Sequence, residues 1–317
     1  MKRFVWIAST ALLVGVAPLS AQDSTPPFTF GTFTISGAVI LSPESIGNAG
    51  TVSGFYMDAS GNYKGFLRSS SKVVTTFTDP GDTQPLTFTQ GYQINDQGVV
   101  VGQFYNSSEN TYSGFFYNTG TKTFTTYDVP GQPAGTITAV LGINTTGSSF
   151  CGYVTPPPYT TVSAFVNVSG QVTVYAVSGS THTECMGMND SDSVGYYNDS
   201  LGASHGYKRN SKGTITFVNY PGASTAAASL PCGGTGGGTV LAGISDRGDI
   251  SGFYWDASNN EHGLSLSGGG SLQSFDYPGA FQTAAGGTNI YGTIAGYYLN
   301  SACTPTGFLA YRPAGGH

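Results

Sequence analysis

The sequence predicts an all-β protein: a six-bladed β-propeller of four-stranded antiparallel blades, with the ring closed by an N-terminal strand. Three observations lead to this prediction. One phrase recurs six times, each repeat is consistent with four short strands, and the last repeat lacks a fourth strand that the N-terminal part of the chain can supply. A fixed period of roughly 40–50 residues is typical of propellers and solenoids, in which neighbouring units bury each other's faces.

The recurring phrase is clearest at Ile94–Gly102 and Ile244–Gly252, and looser copies end at Gly54, Gly152, Gly195 and Gly296. Eleven or twelve residues after each closing glycine stands a pair such as Gly-Phe: Gly65-Phe66, Gly114-Phe115, Ala164-Phe165, Gly206-Tyr207, Gly263-Leu264 and Gly307-Phe308. A turn then ends most units: Pro80-Gly81, Pro130-Gly131, Ser178-Gly179, Pro221-Gly222 and Pro278-Gly279. This spacing indicates six repeats of about 48 residues.

The second unit shows how one repeat becomes a blade. Its four predicted strands are Gly91–Asn95, Val99–Tyr105, Tyr112–Tyr117 and Lys122–Val129. The turn between the first two contains Gly98, which can adopt the positive φ that a tight hairpin requires. Four short strands without helical periodicity are the pattern of a propeller blade. A β-solenoid is the second interpretation, because its coils are usually shorter and lack this succession of hairpins.

The two ends of the chain predict how the ring closes. The sixth unit stops after its third strand, near Phe308–Tyr311. Phe33–Ser36 resembles the segment that starts at Phe77 in spacing and character, so we expect it to pair with that third strand. Such pairing would leave no unpaired sheet edge at the seam.

Composition restricts the partners. Only 9% of the 317 residues are charged, and the net charge of −6 includes no basic stripe, which argues against nucleic acid and against an anionic membrane surface. Gly at 47 residues and aromatics at 13% suit short strands joined by tight turns. The expected partner is an extracellular glycan or a cell-surface protein.

The first 21 residues are typical of an export signal. Lys2 and Arg3 precede a mostly apolar stretch that ends before Ala21, and Pro18 interrupts it. An uncleaved anchor is the alternative interpretation. We therefore expect residues 22–317 to form a single propeller domain in a secreted or periplasmic protein, with no membrane contact after signal removal.

Four cysteines remain in that domain, and an even number in an exported chain indicates two disulfides rather than a metal site or free thiols. Three pairings are possible. We expect Cys151 to pair with Cys185 and Cys232 with Cys303, because each pair falls in neighbouring units and the second falls in loops of the same rim.

The chain shows no recognisable catalytic motif, cofactor-binding loop or metal-ligand spacing, so no catalytic residue, cofactor or metal is predicted. His205 and His262 occupy a repeat position that also accepts Lys and Ser, which indicates a solvent-facing strand site. Asp79, Asp128 and Asp276 share one repeat position and are interpreted as turn-capping residues. Asn189–Asp192 is the nearest approach to a calcium loop but lacks its alternating ligands.

The phrase I-N-x-x-G-x-V-x-G, followed by the Gly-Phe strand and a Pro-Gly turn, resembles the bacterial extracellular repeat proteins of the HAF type. It is similar to the variant whose units end in F-x-x-x-D-x-P-G, here Phe124–Gly131 and, more loosely, Phe275–Gly279. The resemblance covers nearly the whole mature chain, with departures in the third and fourth units. It implies export and a propeller-like fold, and no catalytic mechanism.

Irregular insertions are the candidate ligand site. Thr155–Tyr159, Cys232–Gly238 and Ser301–Pro305 interrupt otherwise uniform units and should lie on one rim. Within them, Tyr159, Gly236 and Thr304 are the predicted ligand-binding residues, and the glycine-rich run is expected to be a flexible loop. Binding or surface and matrix interaction is the favoured function. A polysaccharide hydrolase or lyase that uses the central channel is the alternative, and it would need several dissimilar titratable groups near the axis.

Overall fold

The computed structural model describes residues 28–267, 270 and 272–312, and every regular element in these residues is a β-strand. The predicted signal segment, residues 1–21, lies outside the described residues. No helix capable of crossing a lipid bilayer occurs in the part of the chain that the structure describes.

The chain begins with strand β1 (Thr29–Phe33) and then forms the first three blades. The first blade consists of β2 (Ala38–Ile46), β3 (Val52–Asp58), β4 (Tyr63–Arg68) and β5 (Val74–Phe77). The second consists of β6 (Thr89–Ile94), β7 (Val99–Asn106), β8 (Thr111–Asn118) and β9 (Thr123–Tyr127). The third consists of β10 (Ile137–Ile143), β11 (Ser149–Thr155), β12 (Ser163–Val168) and β13 (Gln171–Tyr175).

The second half repeats this pattern with one addition. The fourth blade consists of β14 (His182–Met188), β15 (Asp192–Asn198), β16 (Ser204–Asn210) and β17 (Ile215–Phe217). A small hairpin follows, formed by β18 (Ala228–Ser229) and β19 (Thr235–Gly236). The fifth blade consists of β20 (Gly238–Ile244), β21 (Ile250–Trp255), β22 (Glu261–Leu266) and β23 (Leu272–Phe275), and β24 (Gln282–Thr288), β25 (Ile294–Leu299) and β26 (Pro305–Tyr311) begin the sixth.

Strand pairing confirms four-stranded antiparallel blades. The fourth and fifth blades are joined into one hydrogen-bonded sheet by a single parallel bridge between Ser204 and Gly238, while each keeps its own four-stranded order. Strand β1 pairs with β26 and supplies the fourth strand of the last blade. The molecule is therefore a propeller of six blades.

Ring closure by the N-terminal strand is confirmed, but the predicted limits of that strand were wrong. The strand is Thr29–Phe33 rather than Phe33–Ser36, and Phe33 lies opposite Gly307, just as Phe77 lies opposite Gly65 in the first blade. Phe33 therefore aligns with Phe77 as the sequence indicated. The error arose because this phenylalanine is the last residue of its strand and not the first.

The hydrophobic core is divided among the interfaces between blades. Among the described residues, six buried clusters occur, one at each interface between blades. The interface between the last and first blades is included, where Leu41 and Phe66 pack with Leu309. The cluster between the third and fourth blades contains Cys151 and Cys185, both completely buried and joined as a disulfide. A covalent bond thus reinforces the interface whose cluster has no aromatic ring among its buried residues.

The second disulfide joins Cys232, at the tip of the β18–β19 hairpin, to Cys303 in the loop between the second and third strands of the sixth blade. Both pairings are those expected from the sequence. The glycine-rich run is not the flexible loop that was predicted. It forms β19, pairs with β18 and leads directly into β20.

Phe33→Ala should destabilise the protein by about 2 kcal/mol and lower Tm by about 5 °C, because its half-buried ring packs on Phe66 and lies under the Arg68 guanidinium. Thr32→Ala, one residue earlier on the exposed face of the same strand, should change the free energy of unfolding by less than about 0.5 kcal/mol. Urea unfolding of both variants measures the difference. Equal stabilities would contradict closure by β1.

Candidate functional site at the central channel

The two rims of the ring carry different loops. The turns from the first to the second strand and from the third to the fourth share one rim, where Thr119 N donates to Gly98 O over 2.9 Å. The other rim carries the loops between the second and third strands and the crossings between blades, where Ser107 N donates to Gly81 O over 3.1 Å. We call these the turn rim and the loop rim. All three predicted insertions belong to the loop rim.

A cavity of about 450 Å³ opens on the loop rim between the first and sixth blades. Its walls contain Phe55, Tyr63 and Tyr297, together with the amide of Gln90 and the Cys232–Cys303 disulfide. Exposed apolar residues Val39 and Ile40 extend this wall on the innermost strand of the first blade. The combination of aromatic rings, a polar amide and an open mouth is typical of a small-molecule site.

Two of the aromatic residues of the cavity, Phe55 and Tyr297, belong to a repeated position, the residue that follows the closing glycine of each phrase. Five of the six residues at this position are aromatic and the sixth is an amide: Phe55, Gln103, Tyr153, Tyr196, Phe253 and Tyr297. Each lies on the second strand opposite a small residue of the third strand, Ala164 in the third blade and glycine in the others. In three blades this glycine leaves room for a fourth-strand ring, because a Cβ on Gly65, Gly263 or Gly307 would overlap Phe77, Phe275 or Phe33, respectively.

Polar side chains near the axis form a hydrogen-bonded network in the second and third blades. Tyr92 Oη donates to Gln90 Oε1 over 2.9 Å, and Gln103 Nε2 donates to the same oxygen over 2.8 Å. Tyr153 Oη then donates to Gln103 Oε1 over 3.0 Å. Burial raises the pKa of Tyr92 well above its ordinary value, and the neighbouring Tyr153, Glu44 and Glu184 raise it further.

The fourth blade adds a histidine and a carboxylate. His182 Nε2 lies 2.7 Å from Glu184 Oε1 and 3.1 Å from Tyr196 Oη. Burial raises the pKa of Tyr196 well above its ordinary value, with a further contribution from Glu184. The pair of His182 and Glu184 therefore lies beside a tyrosine of the repeated aromatic position.

Two further carboxyl groups lie close to Tyr297. The Glu261 carboxylate, then burial, then Glu44 raise the pKa of Tyr297 well above its ordinary value. Burial raises the pKa of Glu44 to about 7, although Ser42 Oγ donates a hydrogen bond of 2.5 Å to it. Burial also raises the pKa of Glu261 to about 7. Both groups therefore change protonation near neutral pH.

The three predicted ligand-binding residues are separated in the structure. Tyr159 is 53% exposed and its hydroxyl donates to Gly135 O over 3.1 Å, away from the cavity. Gly236 is buried, and a Cβ there would overlap the ring of Trp255. Thr304 is exposed in a turn in which its N–H donates to Asn300 Oδ1 over 3.0 Å. None of the three lines the cavity; of the insertions, Cys232, Cys303 and Pro305 do, and the two cysteines are joined as a disulfide.

The turn rim has a smaller cavity of about 40 Å³ over the other end of the channel. Asn48 Nδ2 donates to Asp96 Oδ2 over 2.8 Å and to Asp246 Oδ2 over 3.3 Å, which joins three turns across the axis. Thr145 Oγ1 also donates to Asp246 Oδ1 over 2.8 Å. The second residues of these turns therefore hold the narrow end of the channel closed by bonding to one another.

The histidines of the third-strand position are paired and not simply solvent-facing. His205 Nε2 lies 3.0 Å from Asp199 Oδ2, and His262 lies within 3.5 Å of Asp256 and within 3.0 Å of Asp276. The hydrogen bond that His262 donates to the Asp276 carboxylate is the main reason why the pKa of His262 is raised. These pairs brace the loop between the second and third strands and lie away from the residues that line the large cavity.

The repeated aspartates before the Pro-Gly turns have different roles. Asp79 caps its turn as predicted, because Oδ1 accepts a 2.8 Å hydrogen bond from Gly81 N. Asp128 instead accepts one from Ser113 Oγ over 3.3 Å, and Asp276 pairs with His262. The turn-capping interpretation was wrong for these two, since their carboxylates reach the third strand.

No cluster of three metal-ligating His, Cys, Asp or Glu side chains occurs within residues 28–267, 270 and 272–312. In the segment considered for calcium, Asn189 Oδ1 accepts hydrogen bonds from Ser191 N and Asp192 N. Asp190 Oδ1 accepts one from Asn144, and Asp192 pairs with Lys208 over 2.9 Å. The side-chain oxygens of this turn are thus engaged within the protein.

No protein-family model and no curated protein matches the chain. Among solved structures, AofleA from Arthrobotrys oligospora is similar, with a TM-score of 0.55 and 13% identity over 89% of this chain and 86% of that chain. A lectin of Aleuria aurantia, described as a six-bladed β-propeller with a novel fucose recognition mode, has a TM-score of 0.49 and 14% identity over 90% and 100%. At these identities the likeness concerns the fold alone.

Glu261→Gln should stabilise the protein increasingly as pH rises from 4.5 to 7. The folded-state pKa of Glu261 is raised from 4.5 to about 7, so the folded state loses stability as this group ionises. The variant should gain about 3 kcal/mol over the wild type at pH 8 and almost nothing at pH 4.5. Urea unfolding at both pH values tests this, with Glu109→Gln on an exposed loop as the control. A gain that does not change with pH would contradict the assignment.

Proposed function

We propose that this chain is a carbohydrate-binding propeller whose ligand enters the loop-rim cavity beside Tyr297. The proposal rests on the aromatic residues that follow the closing glycines around the ring of blades. Three of these residues lie beside amide or carboxyl groups that can form hydrogen bonds. Aromatic faces pack against the apolar C–H surface of sugars, and polar groups between them bind hydroxyls. The cavity volume of about 450 Å³ suits one or two sugar rings.

The proposal includes an extracytoplasmic location. Two disulfides join different blades, and such bonds persist in oxidising compartments. An export signal over residues 1–21 is consistent with this location, as is the resemblance to extracellular HAF-type repeat proteins. A glycan or glycosylated protein at a cell surface is then the partner that the site would meet.

A polysaccharide hydrolase or lyase is the second candidate, and one observation favours it. Dissimilar titratable groups do approach the axis, because Glu44 and Glu184 lie on innermost strands and raise the pKa of Tyr92. Burial raises the pKa of Glu44 to about 7, so this group can donate a proton near neutral pH, as a general acid requires. Binding remains the stronger proposal, because an aromatic residue follows the closing glycine in five of the six blades. The two carboxylates, in contrast, do not share one repeat position.

Tyr297→Ala should weaken binding to an oligosaccharide found in a screen of residues 22–317 by roughly tenfold or more, because one aromatic wall of the cavity is lost. The screen should contain neutral, fucosylated, amino-sugar and uronic-acid oligosaccharides, with binding measured by calorimetry. Product formation followed by chromatography in the same samples separates binding from turnover.

Tyr291→Ala is the matched control, since Tyr291 is 61% exposed on the turn rim and should leave affinity unchanged. Circular dichroism verifies that both variants fold. If Tyr291→Ala weakens binding and Tyr297→Ala does not, the ligand uses the opposite rim and the proposed site is wrong.

A further inference from the structure

The loop-rim cavity is lined by uncharged residues. Its described walls combine aromatic and aliphatic side chains with the polar groups of Ser42 and Gln90, and they contain no Lys, Arg, His, Asp or Glu. Glu44 lines only the small cavity of the turn rim. A charged group on a ligand would lose its hydration in the loop-rim cavity without gaining an ion partner. The cavity therefore favours neutral ligands.

Gln90 supplies a hydrogen-bond donor that no described residue uses. The side chain lies on β6, is 8% exposed and lines the cavity. Its Oε1 accepts hydrogen bonds from Tyr92 Oη over 2.9 Å and from Gln103 Nε2 over 2.8 Å, which fixes the orientation of the amide. Its Nε2 has no acceptor among the described residues. A ligand that enters the cavity displaces water from this N–H group, so it must bring an acceptor of its own.

Ser42 supplies the complementary acceptor. It occupies the same place on its innermost strand as Gln90, since Ser42 lies opposite Phe55 and Gln90 lies opposite Gln103. Ser42 Oγ donates its proton to Glu44 Oε1 over 2.5 Å, so the lone pairs of the hydroxyl remain available to accept a hydrogen bond. One donor and one acceptor thus line the same cavity from neighbouring blades.

Aliphatic side chains form a further part of the cavity wall. Val39 is 46% exposed and Ile40 is 38% exposed, and both line the cavity from β2. Leu299 lines it from β25. The aromatic rings can pack against the C–H face of a sugar, but the aliphatic side chains require a separate apolar group. A methyl substituent on the sugar would remove their surface from water.

We propose that the cavity selects sugars with a 2-acetamido group, such as N-acetylglucosamine. The acetamido carbonyl accepts a hydrogen bond from Gln90 Nε2, its N–H donates to Ser42 Oγ, and its methyl group packs on the aliphatic wall. This inference rests on the proposed carbohydrate-binding function and specifies its ligand class. An O-acetyl ester fits less well, because it has the carbonyl and the methyl group but no N–H donor for Ser42.

Calorimetry at pH 6.5 with three trimers of the same β linkage tests the inference: N-acetylglucosamine, glucosamine and glucose. The trimers share a backbone and differ in one substituent, which is an acetamido group, a protonated amine or a hydroxyl. The N-acetylglucosamine trimer should bind residues 22–317 at least about tenfold more tightly than either of the others. Only this trimer satisfies both polar groups and covers the aliphatic wall.

Gln90→Met approximately keeps the length of the side chain and removes the donor. It should reduce the preference for the acetylated trimer over the glucose trimer to within about threefold. Ser42→Ala removes the acceptor and should reduce the same preference by about threefold. Gln97→Met, the same substitution at an exposed position of the turn rim, should retain the full preference. Circular dichroism verifies that the variants fold.

The outcomes separate the two proposals. If the glucose trimer binds as tightly as the acetylated one and Tyr297→Ala weakens both, the acetamido inference fails and carbohydrate binding stands. If Gln90→Met lowers the affinity for both trimers equally, Gln90 supports the structure and does not select the ligand, which overturns its assigned role. If neither these trimers nor the oligosaccharides of the wider screen bind, carbohydrate binding fails as well. The wild-type comparison among trimers remains decisive even if Gln90→Met does not fold.

Discussion

The structure depends on one close approach: the closing glycine of each phrase lies against the backbone of the innermost strand. A Cβ on Gly54 would overlap the carbonyl oxygen of Ser42, and the same overlap occurs at the equivalent glycine of every blade. Opposite these glycines each innermost strand has an irregular register, as between Pro43 and Ser45. Bulges of this kind bend a strand and increase its twist. Only glycine allows the second strand to follow the bulge, so a single repeated residue type shapes all six blades.

The same constraint positions the site. Since the glycine fixes where the second strand meets the innermost one, the residue after it always lies at the same height along the axis. Inner strands also approach each other around the axis through small residues, with Gly142 against Gly187 and Gly243 against Gly287. The channel therefore has a fixed width. Its chemistry depends on the side chains at two positions of each blade, the residue after the closing glycine and the residue before the bulge. A regular scaffold thus presents an irregular set of tyrosines, amides and carboxyls.

The sequence predicted the ring, the blade order, the closing strand and both disulfides. Each of these features follows from the spacing of the repeated motifs, which can be read directly from the sequence. It did not single out the residues that line the proposed cavity site. Tyr159, Gly236 and Thr304 stand out in sequence because they interrupt the repeat, whereas Tyr297 and Phe55 follow it and were overlooked. A signal was present, since the residue after each closing glycine is aromatic in five units. Glu44 and Glu261 could not be found this way, because their burial depends on how neighbouring blades pack.

The hairpin between the fourth and fifth blades converts this symmetric ring into an asymmetric one. Its glycine at Gly236 lets it lie on the indole of Trp255, and the Cys232–Cys303 disulfide fastens its tip to the sixth blade. It thereby covers the loop rim on one side of the axis and leaves the mouth open between the sixth and first blades, beside Tyr297. A ring with aromatic residues at five equivalent positions could bind equivalent ligands at several of them. The hairpin covers part of the loop rim, and carboxyl groups occur in only some of the blades. Tyr297 therefore has a different environment from the residues that follow the other five closing glycines.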